Sequence, residues 1–394
     1  MKIFESYIES GQQNLIDTIK KSLYLIDNEI FDTLDFYKDE LYQEPLLYAF
    51  MSGDKSQFPL KQILFKNYFE NEQPIEFELK TDADGTIYLP DYGYLNTELP
   101  SQYLKARKAS GGIELSKNEE SITFSKNGIR YSQVHPQIEF TNYIDLLSRR
   151  FFVNWANFSA EQAAALLSEN SQRVGDEHYE KLDRALNLIE QISPWDHKMI
   201  GKLLKRIVLF NEPELRCFAT VQAHGCIYIN ADKDATVPYF AEEIIHQYSH
   251  VVFNAVLQNP SQFFKMDQNT KFSEITGDDD NRTLFGTFHG MYTTSKIVEF
   301  FLTSLERADL GEILTELEIK EITGRLALNK KRLNPKISQT TLMQLFTPLG
   351  TELYNHLDDF LRDNMRANQD RFNYNLDGTK WVFNFEAFLR DNAV

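Results

Sequence analysis

Cysteine is nearly absent from this 394-residue chain. Only Cys217 and Cys226 occur, too few for a disulfide framework or a four-cysteine zinc site. Two small buried thiols in a reducing compartment are the expectation. Long apolar runs are missing as well. None approaches the roughly 18 residues of a membrane span, and the opening MKIFESYIES carries glutamates where a secretory signal needs apolar residues. No membrane partner is expected, and the chain reads as cytoplasmic. Positive charge is scarce: 41 Lys and Arg against 58 Asp and Glu leave a formal net charge of -17. That balance argues against a nucleic-acid partner, which needs a clustered basic surface. The one basic cluster, KKRLNPK at 330–336, reads as a solvated helix end running into a turn. Repeats, low-complexity tracts and Gly/Ser linkers are lacking too, so the change of texture near residue 145 marks a boundary without a flexible hinge.

Apolar and aromatic residues are plentiful, with 42% hydrophobic content, 30 Phe and 19 Tyr. Such a chain can build a core and is not expected to be disordered. Residues 1–52 show helical spacing, as in NLIDTIKKSLYLIDNEIFDTL. Between 75 and 135 the period changes. IEFELKTDADGTIYLP sets two β-rich stretches around Asp84-Gly85, and GGIELSKNEESITFSKNGIRYSQV repeats the pattern with Asn127-Gly128. A small antiparallel sheet with turns at those dipeptides is expected. Helical character then returns. Ser159 and Gln162 form a capping box for SAEQAAALLSEN, and Ser193-Pro194 opens a helix in PWDHKMIGKLLKRIVLF. HGCIYIN (224–230) reads as a strand, and a helix runs from near Pro238 to about Leu257. After a loop ending in Asp278–Asp280, a second long helix starts near His289, and further helices fill 311–364. The expected class is α+β, mostly helical. Residues 1–145 would form a helical and β-hairpin region, and 146–394 a second domain.

Within the first of those two helices stands AEEIIHQYSHVV (241–252). Positions i and i+4 of an α-helix differ by about 40° and one turn, so His246 and His250 can meet one ion. Zinc peptidases use this spacing with a glutamate after the first histidine, and here that residue is Gln247. In metal-dependent hydrolysis the glutamate takes a proton from the metal-bound water and passes it to the leaving amine. An amide cannot titrate near neutrality, and losing a general base removes on the order of 10²–10⁴ in rate. The chain keeps what holds a metal and lacks what makes it a peptidase, a pattern suited to chemistry carried by a metal and a cosubstrate. Three residues compete as third ligand. His289 stands at the opening of the next helix, Glu243 one turn before His246, and Glu299 further along the second helix. The glutamates also have ordinary explanations, Glu243 favouring the helix dipole and Glu299 being solvated.

The stretch from about 195 to 302, through GCIYIN, HQYSH and DNRTLFGTFHGMYTTSKIVEFF, resembles the HExxH-type peptide β-hydroxylases. These are iron- and 2-oxoglutarate-dependent enzymes that modify ribosomally made peptides. The resemblance implies a zincin-like core with Fe(II) in place of zinc, bound by His246, His250 and His289. It implies that Arg282 pairs with the distal carboxylate of 2-oxoglutarate, a bidentate task that suits guanidinium. Pairing with Asp278–Asp280 is the alternative for that arginine. Gln247 takes the catalytic position where the family carries glutamate, and the substrate would be a precursor peptide. A leader segment would add a strand to an edge of the N-terminal sheet. Tyr292, Thr293 and His224 are candidates for lining the site or for plain packing. Two other functions compete: a zinc metallopeptidase with Glu243 or another carboxylate as base, and a peptide-binding protein without turnover.

Overall fold

The structure, a computed structural model, describes residues 5–70, 76–109, 112–156, 174–277, 281–331, 337–379 and 382–392. The capping box at Ser159 and Gln162, the acidic run Asp278–Asp280 and residues 332–336 of the basic cluster lie outside them. The chain is α+β and mostly helical. It divides into two compact units that interleave along the sequence instead of parting at residue 145. A sheet unit comprises Gln13–Tyr179 and Gly201–Asp234, and a helical unit comprises Met1–Gln12, Glu180–Ile200 and Ala235–Val394.

The sheet unit contains most of α1 (Glu5–Ile26), α2 (Pro45–Met51) and twelve strands in three sheets. The first sheet runs β1 (Glu76–Lys80), β4 (Tyr103–Ala109), β5 (Gly112–Lys117), β6 (Glu120–Ile122), all antiparallel. Phe77 and Leu79 of β1 point inward opposite Ala106 and Leu104, and with Ile87, Leu95 and Leu115 they form one apolar cluster. The second sheet runs β2 (Thr86–Leu89), β3 (Gly93–Asn96), β7 (Ser125–Asn127). The antiparallel expectation holds for these two sheets, but the turns fall elsewhere. Asp84-Gly85 does not close a hairpin: β1 pairs with β4, and β2 with β3. Gly85 is required there for another reason. Its φ is +86°, and a Cβ would stand 2.8 Å from the Leu99 backbone nitrogen. The tight hairpin turn is Asn118-Glu119 between β5 and β6, with φ of 49° and 71°. Two successive left-handed residues match the strand twist, and asparagine tolerates that region.

The third sheet is mixed, in the order β11 (Phe218–Ala219), β12 (Cys226–Asn230), β10 (Arg206–Phe210), β9 (Glu139–Thr141), β8 (Arg130–Tyr131). Its centre is parallel, β10 pairing with both β9 and β12. The helix expected through PWDHKMIGKLLKRIVLF therefore stops at Leu203, and RIVLF becomes a strand with every residue buried. A short continuous apolar run reads alike as buried helix or as central parallel strand, and flanking strands decide. Arg206 lies in register with Glu139, to which its Nε donates at 3.0 Å, and it also pairs with Glu44 at 3.2 Å. The hydroxyls of Tyr88 and Tyr94 bond to the same Glu139, so this buried charge is paired. Cys226 is buried and Cys217 half-buried, neither in a disulfide, and the Cys217 sulfur accepts from the Asn230 backbone N–H at 3.2 Å.

The helical unit holds most of α3 (Asp176–Ile192) and α4 (Pro194–Leu203), then α5 (Val237–Val256), α6 (Leu284–Glu306), α7 (Glu316–Lys331) and α8 (Pro348–Ala367). Helix α5 matches the expected span. Thr236 caps it by accepting from Tyr239 N at 3.2 Å, and Pro238 sits in its first turn. Helix α6 starts five residues before the expected point, because Thr283 is its cap and accepts from Gly286 N at 3.0 Å. His289 thus lies in its second turn. Helices α5 and α6 pack side by side, and α6 also packs on α7 and α8. Arg325 of α7 locks onto α5 through Glu242 at 2.6 Å, and it holds Glu321 of its own helix at 2.7 Å. At the far end of α5, Gly11 of α1 approaches so closely that a Cβ would stand 1.8 Å from the Ala255 carbonyl oxygen. No helix among the described residues is long and apolar enough to cross a membrane.

Candidate metal centre

Two helices of the helical unit bring three histidines together. On α5, His246 and His250 stand one turn apart with ring centroids 4.8 Å apart. From α6, His289 meets His250 edge-on, with centroids at 4.1 Å and Nδ1 of His250 only 2.5 Å from Nε2 of His289. Aromatic side chains hold the third imidazole in place. Phe253 stacks on it at 5.1 Å with planes 9° apart, and Phe285 flanks it at 5.0 Å. Phe253 is three residues beyond His250 and Phe285 four before His289, so helical spacing supplies both clamps.

Burial decides the charge of this group. It pushes His289 down to about 3, with repulsion from His246 adding to the effect. His250 is lowered well below its ordinary value by burial and then by His289 and His246. Both rings are neutral near pH 7, the form in which imidazole ligates a metal. Among the described residues, no three His, Cys, Asp or Glu side chains are already set around one point as an ion needs. The spacing says why. Two nitrogens at about 2.1 Å from one ion stand about 3.0–3.4 Å apart, so His250 and His289 at 2.5 Å are too close. One ring must turn outward by a fraction of an ångström. The donor types, the neutrality of His250 and His289 and the origin on two helices fit a divalent ion once that happens.

Gln247 faces away from hydrolytic use. It is 1% exposed, and its Nε2 donates to Glu243 Oε2 at 3.0 Å. The reverse amide orientation would set an oxygen against a carboxylate, so the assignment is physically forced. Its Oε1 is buried without a hydrogen-bond partner. Glu243 Oε2 is also 3.8 Å from His246 Nδ1. A carboxylate beside the non-ligating nitrogen is the usual way to orient a metal-binding histidine. The i, i+4 spacing of Glu243 and Gln247 carried this signal in the sequence.

Arg282, just before the α6 cap, is exposed, and its guanidinium lies over the following helix. A Cβ built on Gly290, next to His289, would be 3.6 Å from its Nη1. Glu299 is elsewhere. It sits ten residues beyond His289, roughly 15 Å along the helix by its rise, and accepts from Lys296 at 2.7 Å. Buried Lys296 also pairs with Asp196 of α4 at 2.7 Å, a cluster the sequence reading missed. Only the i, i+3 spacing of Lys296 and Glu299 hinted at it. Tyr292 is fully buried and stacks on Phe253 at 5.2 Å, and Thr293 Oγ1 donates to the Gly290 carbonyl at 3.1 Å. Both serve helix packing. His224 belongs to the sheet unit, where it packs beside Tyr48 and burial lowers it to about 4. Compared with known proteins, the chain matches no family model and no curated sequence.

Proposed function

We propose that the helical unit is a zincin-like oxygenase centre that hydroxylates a side-chain carbon of a peptide, using Fe(II) and 2-oxoglutarate. The observation that carries this reading is the gathering of three imidazoles, His246, His250 and His289, the last two kept neutral by burial, around a helix whose hydrolytic base position is an amide. Held by these histidines, Fe(II) with 2-oxoglutarate would supply the oxidation, one atom of O₂ going to succinate, released with CO₂, and the other to a substrate C–H bond as hydroxyl. The protein's part is to bind, orient and exclude. Glu243 lies 3.8 Å from His246 Nδ1, beyond hydrogen-bond length, and a small rotation of the ring would let that nitrogen donate to it and leave Nε2 for the ion. Gln247, buried with its amide nitrogen on Glu243, holds that carboxylate in place and offers no base. Arg282 reaches the opening of α6 from outside, where a two-pronged grip on the far carboxylate of 2-oxoglutarate suits its fork. Phe253 and Phe285 hold the His289 ring in its orientation.

A zinc hydrolase is the second reading, favoured by the closeness of Glu243 to His246. In that reading Glu243 is the base, although Gln247 already occupies one of its oxygens. A non-catalytic peptide binder is the third. The test is anaerobic purification followed by addition of Fe(II) and then 2-oxoglutarate. A visible charge-transfer absorption that needs both, and succinate on admitting oxygen, support the oxygenase. Tight zinc with metal-dependent peptide cleavage overturns it in favour of the hydrolase, and failure to hold either ion leaves the binder.

A further inference from the structure

The sheet unit carries an apolar surface that its own packing leaves uncovered. Ile19 and Leu23 of α1 face inward, but Tyr24, Leu25 and Ile26 at its end are exposed, Leu25 to 74%. In the loop that follows, Phe36 and Tyr37 are exposed as well, Tyr37 to 89%. This is not a frayed end. Lys20, one turn before Tyr24, is buried, pairs with Asp39 at 2.5 Å and lies over the rings of Phe36 at 4.5 Å and Tyr42 at 5.0 Å. Phe36 also packs edge-on against Phe31 and Tyr37, at 5.2 and 5.5 Å. Tyr42 Oη ties back to the Asp35 carbonyl at 2.8 Å. The loop is thereby pinned to the helix and holds its aromatic rings outward, at no disorder cost to a partner.

Charge narrows what can cover it. The rim carries Asp27, Glu29, Asp32, Asp35 and Glu40 against two exposed lysines, Lys21 and Lys38, so it remains net acidic. Asp39 is matched by Lys20. A second copy of this chain would bring the same carboxylates face to face, and nucleic acid or an anionic membrane would be repelled. The complement is cationic with apolar side chains. We propose that this face docks a basic amphipathic peptide segment of a partner. Its apolar side chains would rest on Tyr24, Phe36 and Tyr37, and its Lys and Arg would reach the carboxylate rim. This proposal is independent of the oxygenase reading, since no residue of the histidine centre takes part.

The test uses the full chain and a fluorescein-labelled amphipathic helix of Lys and Leu, long enough for three turns, with its Glu-for-Lys counterpart as control. Anisotropy should report micromolar binding of the Lys peptide alone, weakening steeply with salt. Tyr24→Ser/Tyr37→Ser should weaken it about tenfold, and Glu29→Gln/Asp32→Asn should reduce both affinity and salt dependence. Thermal melts check that these surface variants remain folded. Equal binding by wild type and both variants would show only general attraction to an acidic protein and overturn the proposal. So would no binding, or wild-type self-association or vesicle binding that the Tyr variants abolish.

Discussion

Replacing Gln247 by glutamate inserts the residue a peptidase would carry, and the surroundings predict what it costs. The amide nitrogen lies 3.0 Å from Glu243 Oε2, in a side chain that is 1% exposed. Gln247→Glu exchanges this hydrogen bond for two carboxylates in contact. At an effective dielectric near 20, like charges about 3 Å apart repel by about 5 kcal/mol. Protonating a glutamate of ordinary pKa costs about 3.7 kcal/mol at pH 7 and about 1 kcal/mol at pH 5. Taking up a proton is the cheaper course, so the pair shares one and the shared pKa rises. The folded variant then binds more protons than the unfolded chain, and its stability must fall as pH rises. Urea denaturation in chelator at pH 5, 6, 7 and 8 should show a deficit against wild type growing from about 1 kcal/mol at pH 5 to about 5 kcal/mol at pH 8. Gln247→Met loses the same hydrogen bond without adding charge, so its deficit should be small and flat with pH. A Gln247→Glu variant as stable as wild type at pH 8 would refute the Glu243 contact. Metal-dependent cleavage of unstructured peptides by this variant alone would transfer the assignment to the peptidase lineage.

Four other outcomes are expected. His250→Ala and His289→Ala should each lower Fe(II) or Zn(II) affinity by about a hundredfold or more in competition titrations while leaving cooperative unfolding intact, because a large apolar core does not depend on the ion. In chelator, wild-type stability should rise with pH between about 4 and 6.5. His289, lowered to about 3 when folded, stays unprotonated there while the unfolded chain takes up protons. His289→Phe should flatten that slope by a measurable part of the ~1.4 kcal/mol per pH unit available to one group. Arg282→Lys should weaken 2-oxoglutarate binding several-fold more than Fe(II) binding, a point charge replacing a fork; unchanged cosubstrate affinity would exclude this anchor. Lys296→Met should destabilise by about 3–5 kcal/mol, because it strands the buried Asp196 carboxylate, and near-wild-type urea midpoints would contradict the pairing.

Local rules carried the sequence reading a long way. Pro238 behind Thr236 opens α5, helical spacing puts His246 and His250 on one face, and Gln247 sits one turn from Glu243. Each follows from backbone geometry over a few residues, which the sequence determines by itself. Turns were half legible: Asp84-Gly85 lies at a turn, Asn127-Gly128 ends β7 without one, the strands on either side of each belong to different sheets, and Asn118-Glu119 closed the hairpin. The segment RIVLF became a strand because β9 and β12 flank it on either side, a choice made by partners distant in sequence. The same distinction runs through the site. That His289 faces His250 depends on how α5 and α6 lie against each other, and that Lys296 meets Asp196 depends on how α6 lies against α4. Side-chain packing between helices sets that register, and the 3.6-residue period alone cannot. Burial of the same packed surface keeps His250 and His289 neutral, the form the proposed metal would need, and no local rule in the sequence supplies that burial.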